Sequence, residues 1–415
     1  MAPLFVWFLV LMIFLWLGFI LGSASKCHEE DSASSPLGPN IDAIEAMRSK
    51  VAGVLSISGH QSEGEIVSFE GRLTQPADSA VALLESGFAD QAVTPIIQEG
   101  EKENVKVILL PITDSTEATE PTKWGIHFLL FALTVLTTTW VGALHAGINL
   151  LSEPGQFQVG LPYSIGLLLI LGAHELGHYF TARRYQMNVT PPYFIPVPFA
   201  LGTFGAFIKM RSLSPNRRAL FDVAIAGPLA GLVFAIPALV IGIQQSTTVI
   251  GEASAHWMHG GGVSAGSSIL MALLSKIALG PDALEIGHRI VLHPLAFAGW
   301  LGLLVTALNL LPIGQLDGGH IAHALFGGRR AHSIGVASLV ALFLLAFFVW
   351  PGLMMWALIV FFIAGTRDMP PSNDVTPIGL PRRLIGYAVF VLLLAILLPV
   401  PHGLYETFGI HCPYL

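Results

Sequence analysis

Charge is scarce in this chain. Only 11% of its 415 residues are Asp, Glu, Lys or Arg, where a soluble domain carries roughly 25%. The chain is 53% hydrophobic with a mean hydropathy of +0.69, which excludes an ordinary soluble globule and points to a polytopic membrane protein. Cysteine is nearly absent: Cys27 and Cys412 stand at opposite ends. Such a pair builds neither a disulfide framework nor a thiolate zinc site, so any metal must be held by His, Asp or Glu. The net charge is −7 and no basic patch is present, so nucleic acid is not among the expected partners. No internal repeat is evident.

A bilayer crossing needs about 20 mostly apolar residues. Met1–Gly22 has the length and no charge. It lacks the basic start of a signal peptide, its apolar run is long for one, and it lacks the Arg- and Ser-rich look of a transit peptide. It reads as a retained N-terminal transmembrane segment. Residues 23–122 are polar or mixed and read as a small soluble α+β domain, with strands at Glu65–Leu73, Val93–Gln98 and Val105–Ile112 and a helix at Ala77–Ala89. No catalytic cluster lies there, and a regulatory or substrate-positioning role suits it. Residues 123–415 are mostly membrane, with spans expected near 124–147, 161–182, 219–243, 290–311, 333–349, 352–365 and 384–400. With the first segment these make an all-α polytopic architecture of about eight transmembrane helices. The stretch 244–288 is Gly- and Ser-rich, with a surface helix expected at Ser268–Leu279.

Lys and Arg set orientation. Arg183, Arg184, Lys209, Arg211, Arg217 and Arg218 share one side with Arg329, Arg330, Arg367, Arg382 and Arg383. That side is expected to be cytoplasmic, which puts residues 23–122 in the cytoplasm and Met1 outside.

The strongest signal is His174-Glu175-Leu176-Gly177-His178. Residues four apart share a helix face, so the two imidazoles can grip one zinc ion, and Glu175 is placed as general base for water acidified by the metal. The pattern interrupts the apolar run Ile165–Leu171. Ionisable groups in hydrocarbon cost about 2.5–3.5 kcal/mol each on insertion scales and rarely sit there idle. A catalytic zinc usually takes three protein ligands. Asp317 is the candidate third, in Asn309-Leu-Leu-Pro312-Ile-Gly-Gln-Leu-Asp317-Gly318-Gly319-His320. Pro312, Gly314, Gly318 and Gly319 break the helix there, and broken backbone at membrane depth lines protein or water, so Asp317 is expected in an unwound, wet segment.

At these two segments the sequence resembles the site-2 protease family of intramembrane zinc metalloproteases, peptidase family M50, in its bacterial and plastid branch with extra transmembrane helices. The resemblance is strong over 161–330, the expected core. It implies His174, His178 and Asp317 as ligands of one catalytic zinc, Glu175 as base, and Asn309 as a polar group near substrate or oxyanion. Gly202-Thr-Phe-Gly205-Ala-Phe-Ile-Lys-Met looks like the family's re-entrant β-hairpin, which presents an edge to an extended substrate; Gly205 is a candidate substrate-binding residue on it. Ala226-Gly227-Pro228-Leu-Ala-Gly231 looks like the small-residue segment that packs on the zinc helix. Many bacterial members insert a PDZ domain between core spans, but 244–288 is too short and Gly-rich for one. The implied activity is endopeptidase cleavage of membrane-spanning protein substrates in regulated intramembrane proteolysis, by a multi-pass protein of the bacterial inner (plasma) membrane.

Other polar residues read more plainly. His256 and His259 form a weak metal pair in a Gly-rich setting. His320 stands between support of a ligand or substrate and a structural role. His323 reads as a polar neighbour, and His145, His288 and His293 as interfacial residues. Two alternatives compete with the peptidase: a transporter using His174, His178 and Asp317 as a metal or proton pathway, and a silent scaffold. The second is disfavoured because the His, Glu, His and Asp set is complete.

Overall fold

The computed structural model describes residues 41–63, 66–91, 93–100, 104–111, 122–250, 268–280, 288–348, 353–365 and 369–398. Met1–Gly22, His256 and His259 lie outside the described residues.

The first elements are α1 (Ile41–Ala52), β1 (Leu55–Glu63), β2 (Ile66–Leu73), α2 (Ala77–Gly87), β3 (Val93–Glu99) and β4 (Val105–Pro111). The strands form an antiparallel sheet in the order β1-β2-β4-β3. Alternate residues of paired strands face the same way, and Val67, Phe69, Val107 and Leu109 bury one face against Ala80, Val81 and Leu84 of α2. Asp78 in the first turn of α2 suits the positive end of the helix dipole. The expected strands and helix match within a few residues. The sequence reading missed α1 and β1, and the reason is physical. Ser58–Ser62 of β1 are exposed, so this edge strand carries no apolar alternation.

The sheet does not stop at β3. Ile97 pairs in parallel with Asn373, which pairs in parallel with Asn216. Backbone bonds of 2.8 Å run from Ile97 N to Ser372 O, from Asp374 N to Ile97 O and from Ser372 N to Ser214 O. Residues 372–374 thus add a strand to the edge, and 214–216 add another that leads straight into a 28-residue helix.

The helical body contains α3 (Trp124–His145), a 3-10 turn at Pro154–Val159, α4 (Leu161–Arg184), the hairpin β5 (Tyr193–Pro196) and β6 (Thr203–Phe207), and α5 (Arg217–Gln244). Then come β7 (Thr247–Ile250), α6 (Ile269–Leu279) and β8 (His288–Val291), with β7 and β8 paired. The chain continues as α7 (Pro294–Asn309), α8 (Asp317–Phe326), α9 (Gly328–Phe348), α10 (Leu353–Ile359) with a π turn at Val360–Ala364, and α11 (Leu380–Leu397). Side-chain caps fix several starts: Asn216 Oδ1 accepts from Ala219 N at 2.9 Å, and Ser268 Oγ from Met271 N at 3.2 Å.

Among the described residues four helices are long and apolar enough to cross a membrane: α3, α5, α9 and α11. The expected eight crossings are therefore not reached by that measure. Helix α4 has the length at 24 residues, but His174, Glu175, His178, Arg183 and Arg184 lower its apolarity. The span expected at 290–311 opens instead as strand β8, and its helix begins at Pro294 and runs 16 residues. The span expected at 352–365 forms the 7-residue α10 and its π turn.

The hairpin packs across α3 and α4. Its strands pair Tyr193 with Phe207 and Phe194 with Ala206. Thr137 Oγ1 donates to Gly202 O at 2.7 Å, and Tyr163 OH donates to Leu201 O at 2.8 Å. Gly202, at φ +80°, lies against the Thr137–Thr138 backbone, where a Cβ would collide.

Candidate metal centre

Helix α4 carries the two histidines one turn apart, buried, with Glu175 also buried between them. Helix α5 crosses α4 at very short range, and small residues permit it. A Cβ on Gly177 would lie 2.5 Å from Ala226 O, one on Gly227 would overlap the His178 imidazole, and one on Gly231 would press on His174 at 3.4 Å. The small-residue segment expected at Ala226–Gly231 thus forms the wall behind the two rings. Helix α7 ends at Asn309, and the chain turns through Pro312 and Gly314 (φ +47°) before α8 starts.

Asp317 is the first residue of α8, not part of the unwound segment. The break precedes it, at 310–316. Gly318 and Gly319 do not loosen the helix. They let its first turn press on the carbonyls of Leu310 and Gly314, where a Cβ would collide.

Three atoms converge. Asp317 Oδ2 lies 3.3 Å from His174 Nε2 and 3.3 Å from His178 Nε2, and the two ring nitrogens are 3.1 Å apart. His178 Nδ1 lies 2.8 Å from the Val223 carbonyl. That carbonyl only accepts, so Nδ1 carries the proton and Nε2 of the neutral ring offers a lone pair. Asp317 Oδ2 is buried and accepts no hydrogen bond from the protein. Lone pairs therefore face one another across a buried gap, which a cation relieves. Zinc bonds of about 2.0–2.1 Å in tetrahedral geometry put ligand atoms about 3.3 Å apart. The spacing of the three atoms fits such an ion with a fourth position open. Among the described residues this is the set of His, Cys, Asp and Glu side chains that can share a metal.

Two groups flank the triad. The Asn309 side-chain amide lies 3.3 Å from His174 Nε2. The Ile208 backbone amide, just past the end of β6, faces the Glu175 carboxylate, which brings the hairpin close to this residue. Sequence reasoning missed Ile208 and Val223, because both act through backbone atoms that leave no mark in residue type. Gly205 sits on β6 at φ +101° with open space where a side chain would be. His320 lies one turn along α8 from Asp317, partly buried.

Residues 162–350 match the model of peptidase family M50. That segment of the chain belongs to the family. The chain is 36% identical over 251 residues to the "Probable zinc metalloprotease EGY1, chloroplastic" of Arabidopsis thaliana, covering 60% of this chain and 45% of that protein. The rice protein of the same name (Oryza sativa subsp. japonica) is 31% identical, over 71% of this chain and 54% of the relative. The "Probable zinc metalloprotease EGY2, chloroplastic" of Arabidopsis thaliana is 30% identical, over 87% of this chain and 65% of the relative. The chain thus spans less than two thirds of the length of these curated relatives. No solved structure gives a significant match. The comparisons support a membrane metalloprotease, and the transporter alternative finds no support in them. The expected bacterial plasma membrane is not supported either, since these relatives are chloroplastic.

Gly227→Ala tests the wall behind the triad. The added methyl meets the imidazole of His178 rather than backbone, so the ring can swing aside and the clash is relieved by breaking the triad. The expected result is a sharp fall in zinc per chain, with a stability loss of no more than about 1–3 kcal/mol, read by metal analysis beside thermal unfolding.

Proposed function

We propose that the chain is a zinc-dependent endopeptidase that cuts membrane-spanning proteins within or at the edge of the bilayer. The observation that carries this reading is the convergence of His174 Nε2, His178 Nε2 and Asp317 Oδ2 beside Glu175. Zinc held there supplies a Lewis acid that acidifies water and polarises a peptide carbonyl. Glu175 takes the proton of the attacking water and returns it to the leaving amine. The Asn309 amide, beside His174, is placed to hydrogen-bond the carbonyl oxygen as negative charge develops on it.

The substrate must present its backbone. A helix hides its carbonyls, so a spanning segment has to unwind, and pairing with a strand replaces the bonds it loses. Among the described residues β6 pairs only with β5, which leaves one edge for an extended peptide. Gly205 and the exposed Phe204 and Phe207 line this strand. We read the hairpin as re-entrant, and α4 and α7 as further crossings whose polar or short character reflects the site between them. Residues 23–122 then form the separate soluble domain, and 123–415 the protease body.

The test is direct. Full-length protein purified in detergent is expected to cut a spanning peptide, to stop when zinc is chelated, and to recover on zinc addition. Cleavage that continues after complete zinc removal would contradict the proposal.

A further inference from the structure

A second buried polar cluster lies at the far end of α8. Arg217, at the start of α5, donates from Nε to Asp374 Oδ1 at 2.7 Å and from Nη2 to Glu99 Oε1 at 3.0 Å. His323 Nε2 lies 3.0 Å from the same Asp374 oxygen, and since a carboxylate accepts, this nitrogen donates. The side chains of Arg217, Asp374 and His323 are 6%, 7% and 4% exposed. Four separate pieces of the chain therefore meet on one carboxylate and one guanidinium: β3 through Glu99, the added strand through Asp374, α5 through Arg217, and α8 through His323.

The placement of His323 gives the cluster its meaning. It stands six residues after Asp317, about 9 Å along a helix rising 1.5 Å per residue. Helix α8 spans only Asp317–Phe326. The broken backbone at 310–316 gives it no continuous helix to lean on. At its other end Gly327 turns at φ +81°, close under the Arg217 guanidinium. The His323 to Asp374 bond is thus a second polar anchor on a short rod whose first residue faces the two imidazoles. Asp374 N itself donates to Ile97 O of the sheet at 2.8 Å, so the position of the rod is referred to the sheet as well as to α5.

We propose that His323, Asp374 and Arg217 are positioning residues for Asp317, and that the sheet formed by residues 55–111 bears on the metal centre through them. This rests on the zinc centre proposed above. Asp374 presents one oxygen to both Arg217 and His323. Loss of that oxygen frees the end of α8, and Asp317 then holds the metal in a looser geometry. The three residues touch neither substrate nor metal; they act on the site only through α8.

The test uses full-length protein loaded with zinc in detergent. It follows zinc release to a chromogenic chelator, the visible spectrum after cobalt substitution, and thermal unfolding. Partners of metal ligands typically change affinity by about 10–100-fold when lost. Asp374→Ala and His323→Leu are expected to release zinc about tenfold faster, with an altered cobalt spectrum. His323→Gln, which can still donate to Asp374, is expected to restore slow release. A merely structural cluster would lower the unfolding temperature and leave release rate and spectrum unchanged in the folded protein, and that result overturns the proposal. Asp374→Ala keeps every backbone bond of its segment and removes the shared oxygen, so it decides the matter even if His323→Leu does not fold. Parent protein that binds no zinc at all would instead defeat the metal centre itself.

Discussion

Glu175→Gln is expected to keep its zinc and to cut a membrane-spanning peptide about 10³-fold more slowly than the parent chain. The substitution preserves shape. The Gln side-chain oxygen can still face the Ile208 amide, and the hairpin's own bonds to Thr137 and Tyr163 are untouched. What is lost is the capacity to take a proton, and general base catalysis contributes about 10²–10⁴-fold. Metal analysis and peptide cleavage on the same preparation separate the two properties. Equal loss of zinc and activity would mean that Glu175 is a structural member of the site. Unchanged cleavage would mean that the proton goes elsewhere.

The second large effect belongs to Asp317. Asp317→Asn is expected to weaken zinc binding by at least about 100-fold, since loss of groups that merely support a ligand already costs up to about that much. The metal-free protein is expected to behave oppositely. Asp317 Oδ2 is buried without a hydrogen bond and faces two imidazole nitrogens. An amide in its place offers donors to those nitrogens and removes a buried charge. The metal-free variant should therefore unfold at the same or a higher temperature than the metal-free parent. Zinc at a hundred times its dissociation constant stabilises a protein by about 2.7 kcal/mol, and in the variant that increment should vanish. Unfolding curves with and without zinc check both halves.

The candidate metal centre was legible because its chemistry is written in residue type. His174, Glu175 and His178 stand out as ionisable side chains in an apolar run, and Pro312 and Gly314 announce a break before Asp317. What could not be read is whatever rests on backbone atoms or on contacts distant in sequence. Val223 O and Ile208 N act regardless of side chain. The strand at 372–374 is three residues inside Pro-Pro-Ser-Asn-Asp-Val-Thr-Pro, which reads as loop. Strand β1 was missed because its exposed residues carry no apolar alternation. Arg217 and Arg382 were counted as orientation charges, yet Arg217 is buried against Asp374, and Arg382 grips Asp222 with bonds of 2.7 and 2.8 Å. His323 looked like an idle neighbour of Asp317, because its partner lies 51 residues away in sequence. Hydropathy alone passes over α4 for a related reason. The helix that carries His174 and His178 is the one whose polarity hides it from a hydropathy criterion.

X-ray absorption at the zinc edge of the Glu175→Gln protein tests the arrangement most directly. The account predicts one zinc per chain with a light-atom shell at about 2.0–2.1 Å, two of whose members are imidazoles, and one oxygen fewer when Asp317 is also replaced. A chain that holds no zinc, or a shell that does not change when Asp317 is removed, would contradict it.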